Sequence, residues 1–258
     1  MEDIRHSADS AGPTVLNLQR ARHGPTFQAF GLRGSKIQAL CDPYLNIDHA
    51  WMSAPTFPPH PHAGFSAISY VFADSETGLA NRDSLGTQNL IAPGGLHWTA
   101  AGQGIVHEER PAEPGKTVHA LQIFVDLPPR LRTASPFVLG LGPEEIPIAR
   151  TSGAAVRVAL GDFAGQRSPL QPPNDVGLLD ITLNAAGSLG VAIPAGHVAI
   201  LMPIAGATRV EGRRYALEDA RLPVFPAAAS QRQITLTADE GPAQVVVFTG
   251  RPLAERLV

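Results

Sequence analysis

Two short motifs carry residue types that bind metal ions. His60-Pro61-His62 opens a stretch that closes with His107-Glu108-Glu109, and five of the nine histidines (His60, His62, His97, His107, His119) lie in it or just after it. Side chains alternate faces along a strand, so residues i and i+2 point the same way. His60 and His62 then project together, as do His107 and Glu109, leaving Glu108 on the opposite face. Two such pairs on neighbouring strands bring three imidazoles and one carboxylate to a single point, the donor set of a first-row transition metal. The set has no thiolate. It suits Fe(II), Mn(II), Ni(II), Cu(II) or Zn(II), and the Irving–Williams order leaves the choice among them open. Four protein ligands leave two positions of an octahedral ion for water, O2 or a chelating substrate, so the site reads as open rather than structural.

Other residues of this kind read more plainly. His97 follows the Pro93-Gly94-Gly95 turn and is expected to hydrogen-bond on the wall of the site rather than coordinate. His119 begins a strand; it either borders the metal cavity or, the preferred reading, is an ordinary half-buried histidine. Arg82 and Asp83 read as a structural pair at a hairpin. Phe65, Tyr70, Trp98 and Phe124 read as core, with one or two available to line an aromatic pocket. Cys41 reads as a small buried hydrophobe. In the second half His197 has no histidine or acidic residue at i+2, so that half reads as metal-free.

Positioning these groups requires strands. The chain has 25 Gly and 24 Pro spread along its length between short apolar runs, which favours many strands and turns over long helices. After a loose polar arm over residues 1–24, with one strand at 14–18, strands are expected at 27–32, 37–40, 45–52, 66–72, 80–83, 90–92, 96–99, 105–109 and 118–127. The second half repeats the rhythm at 156–161, 178–183, 187–193, 197–205, 208–210, 221–225, 232–237 and 244–249, with a short helix around 143–146. Short strands at this spacing suggest a sandwich or barrel. The two halves read as two β-barrels of one kind, joined around 131–147. The expected division is an N-terminal metal-binding domain over 1–133 and a C-terminal metal-free domain over 134–258.

Composition narrows the class. The 258 residues carry a formal net charge of −3, with no basic stripe, which argues against direct nucleic-acid binding. Cys41 is the only cysteine, so no intramolecular disulfide can form, in keeping with a reducing compartment. The start, Met1-Glu2-Asp3-Ile4-Arg5-His6, lacks the design of a signal peptide. The longest apolar runs, such as 198–204, are far too short to span a bilayer. A soluble, cytoplasmic, mostly β protein with no membrane partner is expected.

Several ordered motifs carry a family resemblance. His60-Pro61-His62-x-Gly64-Phe65, Arg82-Asp83-Ser84-Leu85-Gly86, Pro93-Gly94 and Trp98-Thr99-Ala100-Ala101-Gly102-x-Gly104-Ile105-Val106-His107-x-Glu109 together resemble the pirin family of the cupin superfamily. The segments 121–127 and 250–253 are similar to it as well. The resemblance implies an all-β bicupin: two jelly-roll barrels facing each other, few short helices, and a metal, usually iron, in the N-terminal barrel only. Carried over by position, its ligands are His60, His62, His107 and Glu109. Some bacterial members are described as quercetin 2,3-dioxygenases and the mammalian protein as a nuclear transcriptional cofactor sensitive to iron redox state. Two functions follow. One is an iron-dependent dioxygenase opening a flavonol or similar enolisable aromatic with O2, Glu109 serving as ligand and catalytic base or as ligand alone. The alternative is a non-enzymatic, redox-sensing module that acts through a protein partner. The chain departs from the family pattern at Ala63-Gly64-Phe65-Ser66, where Arg-Gly-Phe-Glu is common, which leaves Glu109 as the sole carboxylate. Ending at Val258, it is also expected to lack a further strand and helix that relatives often carry.

Overall fold

Strand-forming sequence is laid out with buried residues on both faces. In Phe65–Val71, Ile68 and Tyr70 are almost fully buried on one side while Ala67, Ser69 and Val71 are buried on the other. A strand buried on both faces must lie inside a stack of layers. The computed structural model describes residues 12–253; the first part of the expected N-terminal arm and residues 254–258 lie outside the described residues.

Two seven-stranded sheets and two four-stranded sheets form the stack, all paired antiparallel. The first seven-stranded sheet runs in the order Phe137–Leu141, Leu96–Ala100, Phe65–Val71, Val118–Asp126, Tyr44–Met52, Phe27–Leu32, Gln19–His23. The second runs Thr14–Asn17, Arg221–Phe225, Val198–Ala205, Ala243–Gly250, Val176–Leu183, Ala154–Leu160, Ile148–Arg150. They pack face to face across the largest core, where Ile68, Tyr70, Trp98 and Leu121 meet Leu178, Ile200, Met202 and Phe248. Behind the second sheet, Ser188–Ile193, Arg232–Ala238, Ala207–Val210 and Arg213–Ala216 close over another apolar core. Behind the first, His60–His62, Ile105–Pro111, Leu79–Asp83 and Gln88–Ile91 cover a much smaller one, formed by Phe27, Met52, Val71, Leu79, Ile91 and Val118 with two alanines. The rest of that space is a cavity. Each half also places a strand in the other's sheet: Thr14–Asn17 pairs with Arg221–Phe225, and Phe137–Leu141 with Leu96–Ala100.

The expectation of two β-barrels is corrected by this topology. Among the described residues every sheet is open and none closes on itself. The reason is local at the point that matters for the site. The chain leaves Leu96–Ala100 through Gly102 and Gly104, at φ 50° and 144°. Positive φ ends the ladder and sends the next strand into a separate sheet. A Cβ on Gly102 would run into the Ala134 carbonyl oxygen, so the bend is available only to glycine. Each half is therefore a pair of packed open sheets.

Two local expectations also change. Residues 37–40 belong to the short α-helix Ser35–Leu40 rather than a strand; Ile37 is buried and Leu40 half-buried, a spacing that suits one helical face. Residues 143–146 form a turn, closed by Glu145 N–H donating to Gly142 O and Gly142 N–H donating to Glu145 Oε2. The strands Gln19–His23, Phe137–Leu141, Ile148–Arg150 and Arg213–Ala216 have no counterpart in the sequence-based expectation. No helix among the described residues is long and apolar enough to cross a membrane.

Candidate metal centre

Register assembles the histidines. The strand Ile105–Pro111 lies between His60–His62 and Leu79–Asp83, with His107 opposite His60 and Ile105 opposite His62. Alternation along both strands then turns His60, His62 and His107 to one face. One ring nitrogen from each lies within 4.8 Å of the others. The ring centroids form a near-equilateral triangle of 4.7 to 4.8 Å, and His62 Nε2 sits 2.9 Å from His107 Nε2.

The protonation of the cluster suits a cation. Burial, with adjacent imidazoles as a second cause, pulls His62 down to about 4 and His107 down to about 3. Both rings are neutral near pH 7 and keep a lone pair to offer. His60 Nδ1 lies 2.9 Å from the Pro58 carbonyl oxygen, the partner that fixes a ligating imidazole with Nε2 free. His107 Nδ1 is buried with no partner, so the ring's polar contacts are made through Nε2. Two nitrogens bound to one ion at roughly 2.0–2.1 Å and at right angles are about 3 Å apart. The His62–His107 separation fits a shared ion, and a three-histidine cluster able to coordinate a divalent metal is present.

Glu109 stands apart from this cluster. It shares the face and the cavity, but its carboxylate is not among the atoms that converge. It is buried at 9% exposure; burial pushes its carboxyl up to about 7, opposed by the Ser69 hydroxyl, which donates to Oε2 at 2.6 Å. Glu108 faces the other way and pairs with Arg82 at 2.7 Å. Arg82 and Asp83 are therefore not a pair. Asp83 Oδ1 instead accepts from the Leu85 and Thr87 N–H groups and closes the hairpin turn.

The imidazoles and Glu109 open onto a cavity of about 400 Å³. Its walls are mainly apolar, with Phe27, Met52, Phe57, Leu79, Val118 and Phe124. Phe124 and Phe65 pack edge-on against His62, at 5.4 and 5.2 Å between centroids, while Tyr70 and Trp98 are wholly in the core. On another side Arg33 grips Asp48 through two hydrogen bonds of 2.8 and 2.6 Å, which neutralises the guanidinium within the wall. Ser69, Gln122, Asn46 and His23 also line the cavity and were not singled out by motif. Gln122 was legible in principle: it alternates with Ala120 and Phe124 on the cavity face of one strand.

The remaining histidines lie elsewhere. His97 is buried, with Nδ1 3.5 Å from Asn89 Nδ2 and Nε2 unpartnered. His119 is half-buried on the face away from the cavity, stacked on Trp51 and in contact with His49. His197 contacts Asp175 and the Ala195 carbonyl. Cys41 is fully buried, and burial pushes its thiol up to about 12.

Comparison with known proteins places this arrangement. The chain matches the Pirin family over residues 35–125 and the Pirin C-terminal cupin domain family over residues 178–258. A Pseudomonas aeruginosa protein provisionally named quercetin 2,3-dioxygenase is 30% identical over 98% of this chain and 85% of that protein. The fold is shared with the crystal structure of quercetin 2,3-dioxygenase from Acinetobacter baumannii, with a TM-score of 0.80 and 23% identity over 95% of this chain and 89% of the other. It is shared too with a bacterial pirin from Escherichia coli in complex with nickel(II), with a TM-score of 0.72 and 17% identity over 93% and 99%. Paired motifs, a three-imidazole cluster on neighbouring strands, a second sheet stack after it and full-length similarity agree, and the chain belongs to the pirin family.

Proposed function

We propose that this protein is a metal-dependent dioxygenase of the quercetin 2,3-dioxygenase type, holding Fe(II) through His60, His62, His107 and Glu109 and opening a small enolisable aromatic compound with O2. The observation that carries this reading is the three-imidazole cluster facing an apolar cavity of about 400 Å³, a volume suited to a small aromatic ligand. When bound, the ion supplies the Lewis acidity and electron transfer that the reaction with O2 requires. The chain's own residues do the rest. Phe124 and the apolar wall hold an aromatic ring against the imidazoles and keep water out. Glu109, the carboxylate on the imidazole face, accepts the substrate hydroxyl proton at a carboxylate oxygen. Arg33, tied to Asp48, adds no free positive charge to the wall, which favours a neutral phenolic ligand over a carboxylate. The relative's provisional name supports the substrate class, and the nickel complex supports a divalent ion in this fold. The division into domains at 1–133 and 134–258 is part of the same proposal, with the chemistry in the first.

The test is anaerobically purified, iron-loaded protein mixed with quercetin and oxygen, followed for flavonol loss and carbon monoxide release. Turnover is expected, and it should disappear in His60→Ala. Absence of turnover with iron demonstrably bound would contradict the reading for quercetin and bring forward the redox-sensing alternative.

A further inference from the structure

The polar residues behind Glu109 form an ordered array. Ser69 and Gln122 are opposite one another on adjacent strands. The Gln122 amide Nε2 donates to the Ile68 carbonyl at 3.2 Å, which turns its Oε1 toward Ser69 Oγ, also at 3.2 Å. Ser69 is buried at 2% exposure and has a single hydrogen to give. Of its two acceptors, Glu109 Oε2 is nearer, at 2.6 Å, the length of a strong hydrogen bond to a carboxylate. Glu109 Oε1 has no hydrogen-bond partner among the described residues. One oxygen of the carboxylate is thus held to the strand Phe65–Val71, in a residue that lines the cavity.

We propose that Ser69 is a positioning residue for the metal centre: by holding Glu109 Oε2, it fixes the orientation in which the carboxylate would be offered to the ion. Gln122 Oε1, at 3.2 Å, is the longer and weaker of the two acceptors open to that one hydrogen. Glu109 held in this way would offer the ion a preoriented carboxylate beside the three imidazoles. Free of Ser69, the carboxylate loses its fixed approach and the ion loses a preorganised ligand. This inference rests on the reading of Glu109 as the fourth ligand.

Mn(II) binding to the metal-free full chain, followed by loss of the free-ion paramagnetic resonance signal, tests it through a double-mutant cycle. Ser69→Ala should weaken Mn(II) binding about tenfold, the scale on which partners of metal ligands act. Ser69→Thr, which keeps the hydroxyl, should restore affinity to within about threefold of the parent protein. In a Glu109→Ala background the further change Ser69→Ala should cost less than about twofold, because its route to the ion is gone. An equal loss in both backgrounds would overturn the proposal and make Ser69 merely structural. Unchanged affinity in Ser69→Ala, where Glu109→Ala does weaken binding, would also overturn it while sparing the ligand assignment. Unchanged affinity in Glu109→Ala would remove Glu109 from the ligand set and Ser69's role with it.

Discussion

Among the described residues, two pairs of histidines meet through their Nε2 atoms, on opposite sides of the first seven-stranded sheet. His62 and His107 look into the cavity, at 2.9 Å. His49 and His119, at 2.7 Å, lie on the other face of the strands Tyr44–Met52 and Val118–Asp126, whose residues Asp48, Ala50, Met52, Ala120 and Gln122 line the cavity. With His119 donating through Nδ1 to Asp74 at 2.9 Å, its Nε2 accepts from His49, and His49 Nδ1 stays buried without a partner. A second proton on this pair has no acceptor. Burial, and then the neighbouring His119 imidazole, pull His49 down to about 3. A histidine depressed in the folded state binds more protons when unfolded, so its contribution to stability is full above about pH 6.5 and is lost as the pH falls toward 3. Comparing the parent with His49→Gln by urea unfolding cancels the similar behaviour of His62 and His107. The stability difference between the two should shift in favour of the variant by about 2 kcal/mol between pH 7 and pH 5. A difference that stays constant with pH would show that His49 does not titrate in this way.

At the scale of elements, what could be read in advance was whatever depends on strand periodicity. His-x-His and His-x-Glu give the right face for all four side chains because alternation is strict, and the paired register then brings three of them together. It could not say that Ser69 would engage Glu109, since that bond joins two sheets. The half-buried placement of His119 agrees with the preferred reading, and its parity follows from the strand: Ala120, Gln122 and Phe124 face the cavity, so His119 does not. Closure into barrels was not legible, because it depends on which edges bond to which, a pairing between segments distant in sequence. The edge strand Gln19–His23 is exposed almost throughout and has no apolar alternation to read. Residues 37–40 alternate too briefly to separate a strand from one turn of helix.

For the whole molecule, the halves are held by a shared apolar core and a few buried polar ties. The Tyr70 hydroxyl donates to Asp180 Oδ2 at 2.8 Å, with Gln244 donating to the other oxygen at 2.7 Å, and the Tyr44 hydroxyl donates to the Thr249 carbonyl at 2.8 Å. Tyr70 lies beside Ser69 in sequence but on the opposite face, so one strand serves both the interface between halves and the metal centre. Tyr70→Phe leaves a buried carboxylate oxygen without its donor and should destabilise the protein by about 1–3 kcal/mol in urea unfolding. A change within about 0.5 kcal/mol would show that the tie is not a stability element. The central claim is that His60, His62 and His107 form the metal site, and metal content tests it most directly. Protein loaded anaerobically with Fe(II), freed of loose ion by gel filtration and analysed for iron should hold about one ion per chain. His62→Ala should hold less than about a tenth of that while its far-ultraviolet circular dichroism stays that of the parent. Full iron in His62→Ala with an intact β spectrum would contradict the account.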